Sequence, residues 1–195
     1  MSELKISNDN LSSRFLVIRQ RLSVLRTHPN KVSPWQDVAV EQSPNGQVYI
    51  LGSHDGMKIN ATYRDWRFST IHRNLKAMYF EIWQPTTAQR MEWELHQAYF
   101  SLYHLDRNKR KEREVLSIHC DPLEKLSATH YEYKRGPHLH VSFSPSPLPE
   151  AHFGLNQYEL TEVLSNISNL DRALAQSIRM VRDQVLTLDW DIAHT

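Results

Sequence analysis

At 195 residues, 40% of them hydrophobic and 23% charged, the chain is sized and composed for one folded domain over residues 1–195 with a sizeable core. A net charge of +1 excludes a global field toward nucleic acid or an anionic membrane, so any polyanion contact must come from a local patch. The one cysteine, Cys120, excludes an intramolecular disulfide and a cysteine-based zinc site, while the lack of any apolar run near the ~20 residues of a membrane span, and of a signal-peptide core, points to the cytoplasm.

Residues 1–8 are polar and read as a loose end. Leu11, Phe15, Ile18, Leu22 and Leu25 then recur at steps of four and three, the stripe of an amphipathic helix. Asp9 or Asn10 is placed to cap it, and Pro29 stops its continuation. Arg14, Arg19, Arg21 and Arg26 fall on its flanks and outer face and read as a solvated surface.

An antiparallel meander is expected next. Val38 and Val40 alternate before the turn cluster Ser43-Pro44-Asn45-Gly46; Val48 and Ile50 alternate after it, ahead of a turn at His54-Asp55-Gly56. Met57, Ile59, Ala61 and Tyr63 share one face of a further strand, while Trp66 and Phe68 begin an apolar patch of undefined conformation. In Ala77–Trp83, Met78, Phe80 and Ile82 face one way and Tyr79, Glu81 and Trp83 the other.

Pro85 ends that strand, and Thr86 with Gln89 has the form of a capping box. Met91, Leu95, Ala98, Leu102 and Leu105 then predict a middle helix, aromatic on its flanks through Trp93, Tyr99, Phe100 and Tyr103. The tract 106–113 is a charged connector rich in Lys and Arg, including Lys109 and Arg110. Beyond it Leu116, Ile118 and Cys120 lie on one face of a strand, with Ser117, His119 and Asp121 on the other. Cys120 reads as a buried thiol.

The stretch with most chemistry follows the Gly136-Pro137 turn. Leu139, Val141 and Phe143 alternate with His138, His140 and Ser142 on one strand. The proline-rich segment 144–155 reads as a surface crossing. Asn156 with Glu159 signals a cap, and an apolar stripe from Leu160 to Leu188 predicts one long helix or two, with a loose tail over 190–195. The fold class expected is α+β: a mostly antiparallel sheet of about five to seven strands flanked by an N-terminal helix, a middle helix and a long C-terminal helical segment.

If the strands carrying Glu81, Ser117/His119/Asp121 and His138/His140/Ser142 are neighbours with matching faces, imidazoles and carboxylates converge on one open surface. His138, His140 and His119 are then the catalytic candidates. Lys134, Arg135, Ser142, Lys109 and Arg110 are placed to hold phosphate. His138 and His140 with Asp121 and Glu81 form a donor set for a divalent transition metal, the one cofactor the sequence suggests. Without metal, one imidazole as base and another as acid suit phosphodiester cleavage. The same histidines also fit a solvated sheet surface.

Two functions stay open at this point. One is a small cytoplasmic interaction subunit, docking a protein through the aromatic middle helix or the C-terminal stripe and nucleic acid through 107–113. The other is a histidine-dependent, metal-assisted or metal-free phosphodiester hydrolase, nuclease or toxin-like. Walker, GxGxxG, GxSxG and HExxH motifs are absent, and five glycines leave little for a nucleotide-cradling loop. The tract through Arg-Gly-Pro-His-Leu-His resembles a tract in small toxins of toxin–antitoxin pairs, over a stretch too short to carry a function across.

Overall fold

The computed structural model describes residues 4–25, 39–52, 69–72, 75–86, 91–106, 111–120, 138–141, 151–154, 162 and 165–186, and nine strands and two helices are delimited among them. In chain order they are β1 (Lys5–Ser7), α1 (Asn8–Leu22), a 3₁₀ turn (Ser23–Leu25), β2 (Ala39–Gln42) and β3 (Val48–Gly52). Then come β4 (Ser69–His72), β5 (Leu75–Pro85), β6 (Glu92–Asp106), β7 (Lys111–Cys120), β8 (His138–Val141) and β9 (Ala151–Gly154). Helix α2 (Ile167–Met180) follows and runs into a π turn (Val181–Val185). Among the described residues, no helix is long and apolar enough to cross a membrane.

All strand pairs are antiparallel, in the spatial order β2-β3-β5-β6-β7-β8-β9. The long strands β5 and β6 form the centre, and two short strands pair beside them. β4 lies along β5 at Leu75–Ala77, and β1 lies along β6 at Glu92–Glu94. The α+β class and the antiparallel sheet are therefore as the patterning implies.

Alternation decides which side of the sheet carries the helices. Leu75, Ala77, Tyr79, Glu81 and Trp83 of β5 are all buried on one face. They join Leu95, Ala98, Phe100 and Leu102 of β6 and Leu116, Ile118 and Cys120 of β7 in the main core. Against this face pack Leu11, Ile18, Leu22 and Leu25 from the N-terminal stripe and Leu170, Leu174, Ile178 and Val181 from the C-terminal one. The opposite face holds a second cluster, Met78 and Phe80 with Tyr49, Ile82, Tyr99 and Tyr103 around them.

The expected middle helix is instead strand β6, and the reason is a bulge. Register moves from Ile82↔Gln97 to Trp83↔Leu95, so His96 is an extra residue on β6. Without the bulge, Leu95 and Ala98 would face opposite sides; with it they share the core face, and their three-residue spacing imitates a helical step. Met91, counted in the same stripe, is 69% exposed. Thr86 does not cap a helix either. It closes the β5–β6 turn, its amide and hydroxyl both donating to the Glu92 carbonyl at 3.1 Å.

Four further expectations are corrected. Over its described residues 4–8 the N-terminal segment is not loose: Leu4 and Ile6 are buried, and Ser7, rather than Asp9 or Asn10, caps α1 by accepting from the Asn10 amide at 3.3 Å. Arg14 is not on a solvated surface but is 2% exposed. The crossing expected over 144–155 contains strand β9. Helix α2 is capped by Asn166, whose side chain accepts from the Asn169 amide at 3.0 Å. The expected strand 57–63 and the cap at Asn156 lie outside the described residues.

Candidate functional site

Two polar constellations occupy opposite faces of the sheet. On the helix side the Glu81 carboxylate, fully buried, accepts four hydrogen bonds. Arg14 donates through Nε to Oε2 at 2.9 Å and through Nη2 to Oε1 at 2.6 Å; Tyr79 donates its hydroxyl to Oε1 at 2.5 Å and Trp83 its indole NH to Oε2 at 2.9 Å. The third nitrogen of the guanidinium, Nη1, donates to Asp171 of α2. One cation thus ties together α1, β5 and α2.

Burial opposes the charge on Arg14, but the Glu81 carboxylate and its hydrogen bonds outweigh it, and the guanidinium is held above its ordinary pKa. Burial, followed by the neighbouring Glu81 charge, pushes the Tyr79 phenol up. Asp171 is also raised, by burial first, despite the Arg14 charge beside it. With every Glu81 oxygen occupied, this network is a structural staple and has no open position for a ligand.

Sequence reading missed the network, though a signal exists. Arg14 lies three residues after Leu11 and four before Ile18, and Asp171 lies three before Leu174, so both sit on their apolar stripes and not opposite them.

The other face carries the histidines. β7 and β8 are neighbours, with His119 opposite His138 and Ser117 opposite His140. β9 continues the sheet and sets His152 opposite His140. Residues directly opposite, and residues two apart along a strand, share a face. His119, His138, His140 and His152 therefore hold consecutive positions on one face, with spacings of roughly 5 Å across strands and 7 Å along one. His152 was not among the residues singled out from the sequence. Its segment reads from sequence as a crossing, and the β8–β9 pairing gives its place.

The described side chains of this face explain how His119 is held. Its ring stacks on Tyr99 of β6 with centroids 4.2 Å apart and planes 27° apart, and Tyr99 in turn packs on Phe80 at 4.7 Å. One row further along, the buried hydroxyls of Ser101 and Ser117 share a hydrogen bond of 2.5 Å.

Glu81 does not join the histidines. It pairs with Ala98, which pairs with Cys120, so Glu81 belongs to the helix-facing rows; β6 also separates its strand from β7. No group of three or more His, Cys, Asp or Glu side chains poised for a metal occurs among the described residues. Asp121, Lys134, Arg135, Ser142, Lys109 and Arg110 lie outside the described residues.

Of the surfaces expected to dock a protein, the described residues lie within the fold. The aromatic segment is the central strand β6, and Leu170, Leu174, Ile178 and Val181 of the C-terminal stripe are buried in the core. Comparison with protein-family models, with curated proteins and with solved structures finds no match to this chain.

Proposed function

We propose that the chain is a histidine-dependent phosphodiesterase whose site lies on the histidine-bearing face of β7–β9 and whose substrate is RNA. The observation that carries this reading is the pairing of His119 with His138, in series with His140 opposite His152. Imidazoles on adjacent strands are spaced to serve one phosphate from two sides, the arrangement that general acid–base cleavage needs. One imidazole takes the proton of the 2′-hydroxyl as its oxygen bonds to phosphorus. A second gives a proton to the departing 5′-oxygen as its bond to phosphorus breaks. The products are a cyclic phosphate end and a free 5′-hydroxyl end, and DNA, lacking the 2′-hydroxyl, is not cut.

His119, His138 and His140 carry the proton transfers in this reading. Lys134, Arg135 and Ser142, close in sequence to the β8 histidines, supply contacts to the reacting phosphate, while Lys109 and Arg110 precede the end of β7 remote from His119 and would reach only a more distant phosphate of the same RNA. A metal-assisted version keeps His138, His140 and Asp121 as ligands and gives up Glu81. The test is incubation of untagged protein with end-labelled single-stranded RNA and the matching DNA, with and without chelator. Chelator-resistant RNA cleavage leaving cyclic phosphate ends, lost in His138→Ala/His140→Ala, supports the acid–base reading. Cleavage abolished by chelator supports the metal-assisted version. RNA left intact by the unmodified chain rules out both.

A further inference from the structure

We infer that Tyr99 is a positioning residue for His119, a role that rests on the phosphodiesterase reading above. Three observations converge on it. Tyr99 and His119 are directly opposite in the β6–β7 register, and their rings are stacked at 4.2 Å and 27°. Tyr99 is itself braced from its other neighbour, Phe80, which is opposite it on β5, 5% exposed and 4.7 Å away ring to ring. The phenol is tied down as well, accepting from Nε2 of Gln97 at 3.4 Å.

The row Phe80–Tyr99–His119 is thus a ladder of three rings on three central strands, and its next position is His138 on β8. An imidazole on a strand surface ordinarily samples several χ1 and χ2 values. A stacked neighbour that cannot move restricts it to one plane, and a proton-transfer group works only when its nitrogen is held within a fraction of an ångström of the reacting oxygen. Phe80 and Tyr99 never touch substrate in this account. They hold the orientation of the ring that does.

The experiment compares Tyr99→Phe, which keeps the ring, with Tyr99→Leu and Tyr99→Val, which remove it; valine suits a strand and guards against a variant that fails to fold. Two readouts are taken on full-length protein: kcat and KM on end-labelled single-stranded RNA, and the ring-proton NMR shifts of His119, assigned by comparison with His119→Ala. Tyr99→Phe is expected to match the unmodified chain in both. Tyr99→Leu and Tyr99→Val are expected to lose the upfield ring-current shift of His119 and to lower kcat by roughly tenfold to a hundredfold, with KM little changed. Undiminished kcat in the ring-less variants overturns the positioning role while leaving the phosphodiesterase standing. Absence of cleavage by the unmodified chain overturns both, a different result from cleavage that ignores Tyr99.

Discussion

The guanidinium of Arg14 meets the carboxylate of Glu81 in a two-point contact, 2.9 Å through Nε and 2.6 Å through Nη2, between side chains 2% and 0% exposed. Neither partner is replaceable on its own. Removing one member of a buried ion pair leaves the other desolvated without compensation, at a cost of about 3–5 kcal/mol. Arg14→Met is therefore expected to lower stability in urea by that amount. Arg14→Lys is expected to recover only part of it, since an ammonium cannot reproduce the fork. Arg14→Met/Glu81→Leu should be less damaging than the two single losses combined. Additivity of the single changes would show that the pair is not coupled.

The same network sets a pH dependence. Tyr79 keeps its proton in the fold to higher pH than the ordinary 10.0, because burial and the Glu81 charge oppose ionisation. Above pH 10.0 the folded chain binds more protons than the unfolded one, so stability falls as pH rises there, and the full contribution is present below it. Asp171, raised above 3.8, follows the same sign in acid: it favours the fold most when protonated and loses that advantage as pH climbs through its window. Chemical denaturation across pH checks both. Tyr79→Phe is expected to flatten the alkaline limb, and the stability of the unmodified chain relative to Asp171→Asn is expected to decline as pH rises from 3.8. A pH-independent difference for either variant would refute the assignment.

Both helix stripes, the alternation in β5 and β7, and the class of the fold were legible because period alone separates a helix face from a strand face. What period cannot show is a change of phase. The bulge at His96 shifts the β6 alternation by one residue, and the shifted pattern satisfied a helical template better than a strand one. Strand adjacency was equally invisible. The sequence places His119 and His138 on outward faces but says nothing of which strand lies beside which; pairing of β7 with β8 joins them, and insertion of β6 parts them from Glu81. Arg14 was misplaced because charged residues are usually solvated, and its partners are 67 and 157 positions away.

On the histidine-bearing face, the Ser101–Ser117 pair offers a stability test independent of any activity. Both hydroxyls are buried and bond one another at 2.5 Å. Either Ser→Ala change strands the remaining hydroxyl, at a cost of about 1–3 kcal/mol. Removing both leaves no orphan, so Ser101→Ala/Ser117→Ala should be less destabilised than the sum, with a coupling of about 0.5–3 kcal/mol from a double-mutant cycle in urea. A cycle that closes to zero would mean the two hydroxyls do not depend on each other.

Within the proposed phosphodiesterase, His152 offers a test that separates binding from proton transfer. It lies beyond His140 in the row that begins at Ser101 and Ser117, whereas His119 and His138 share the neighbouring row. In the proposed phosphodiesterase, the outer end of the series is assigned to holding the phosphate and the inner row to moving the proton. His152→Ala is expected to raise KM for single-stranded RNA with kcat largely kept. His138→Ala should instead lower kcat by about 10²–10⁴, the range for losing a general acid or base. Phe153, one residue out of phase and paired with Leu139, supplies the control. Phe153→Leu changes the opposite face and should leave KM where it was, so a KM effect equal to that of His152→Ala would mean that the β8–β9 register does not define the site.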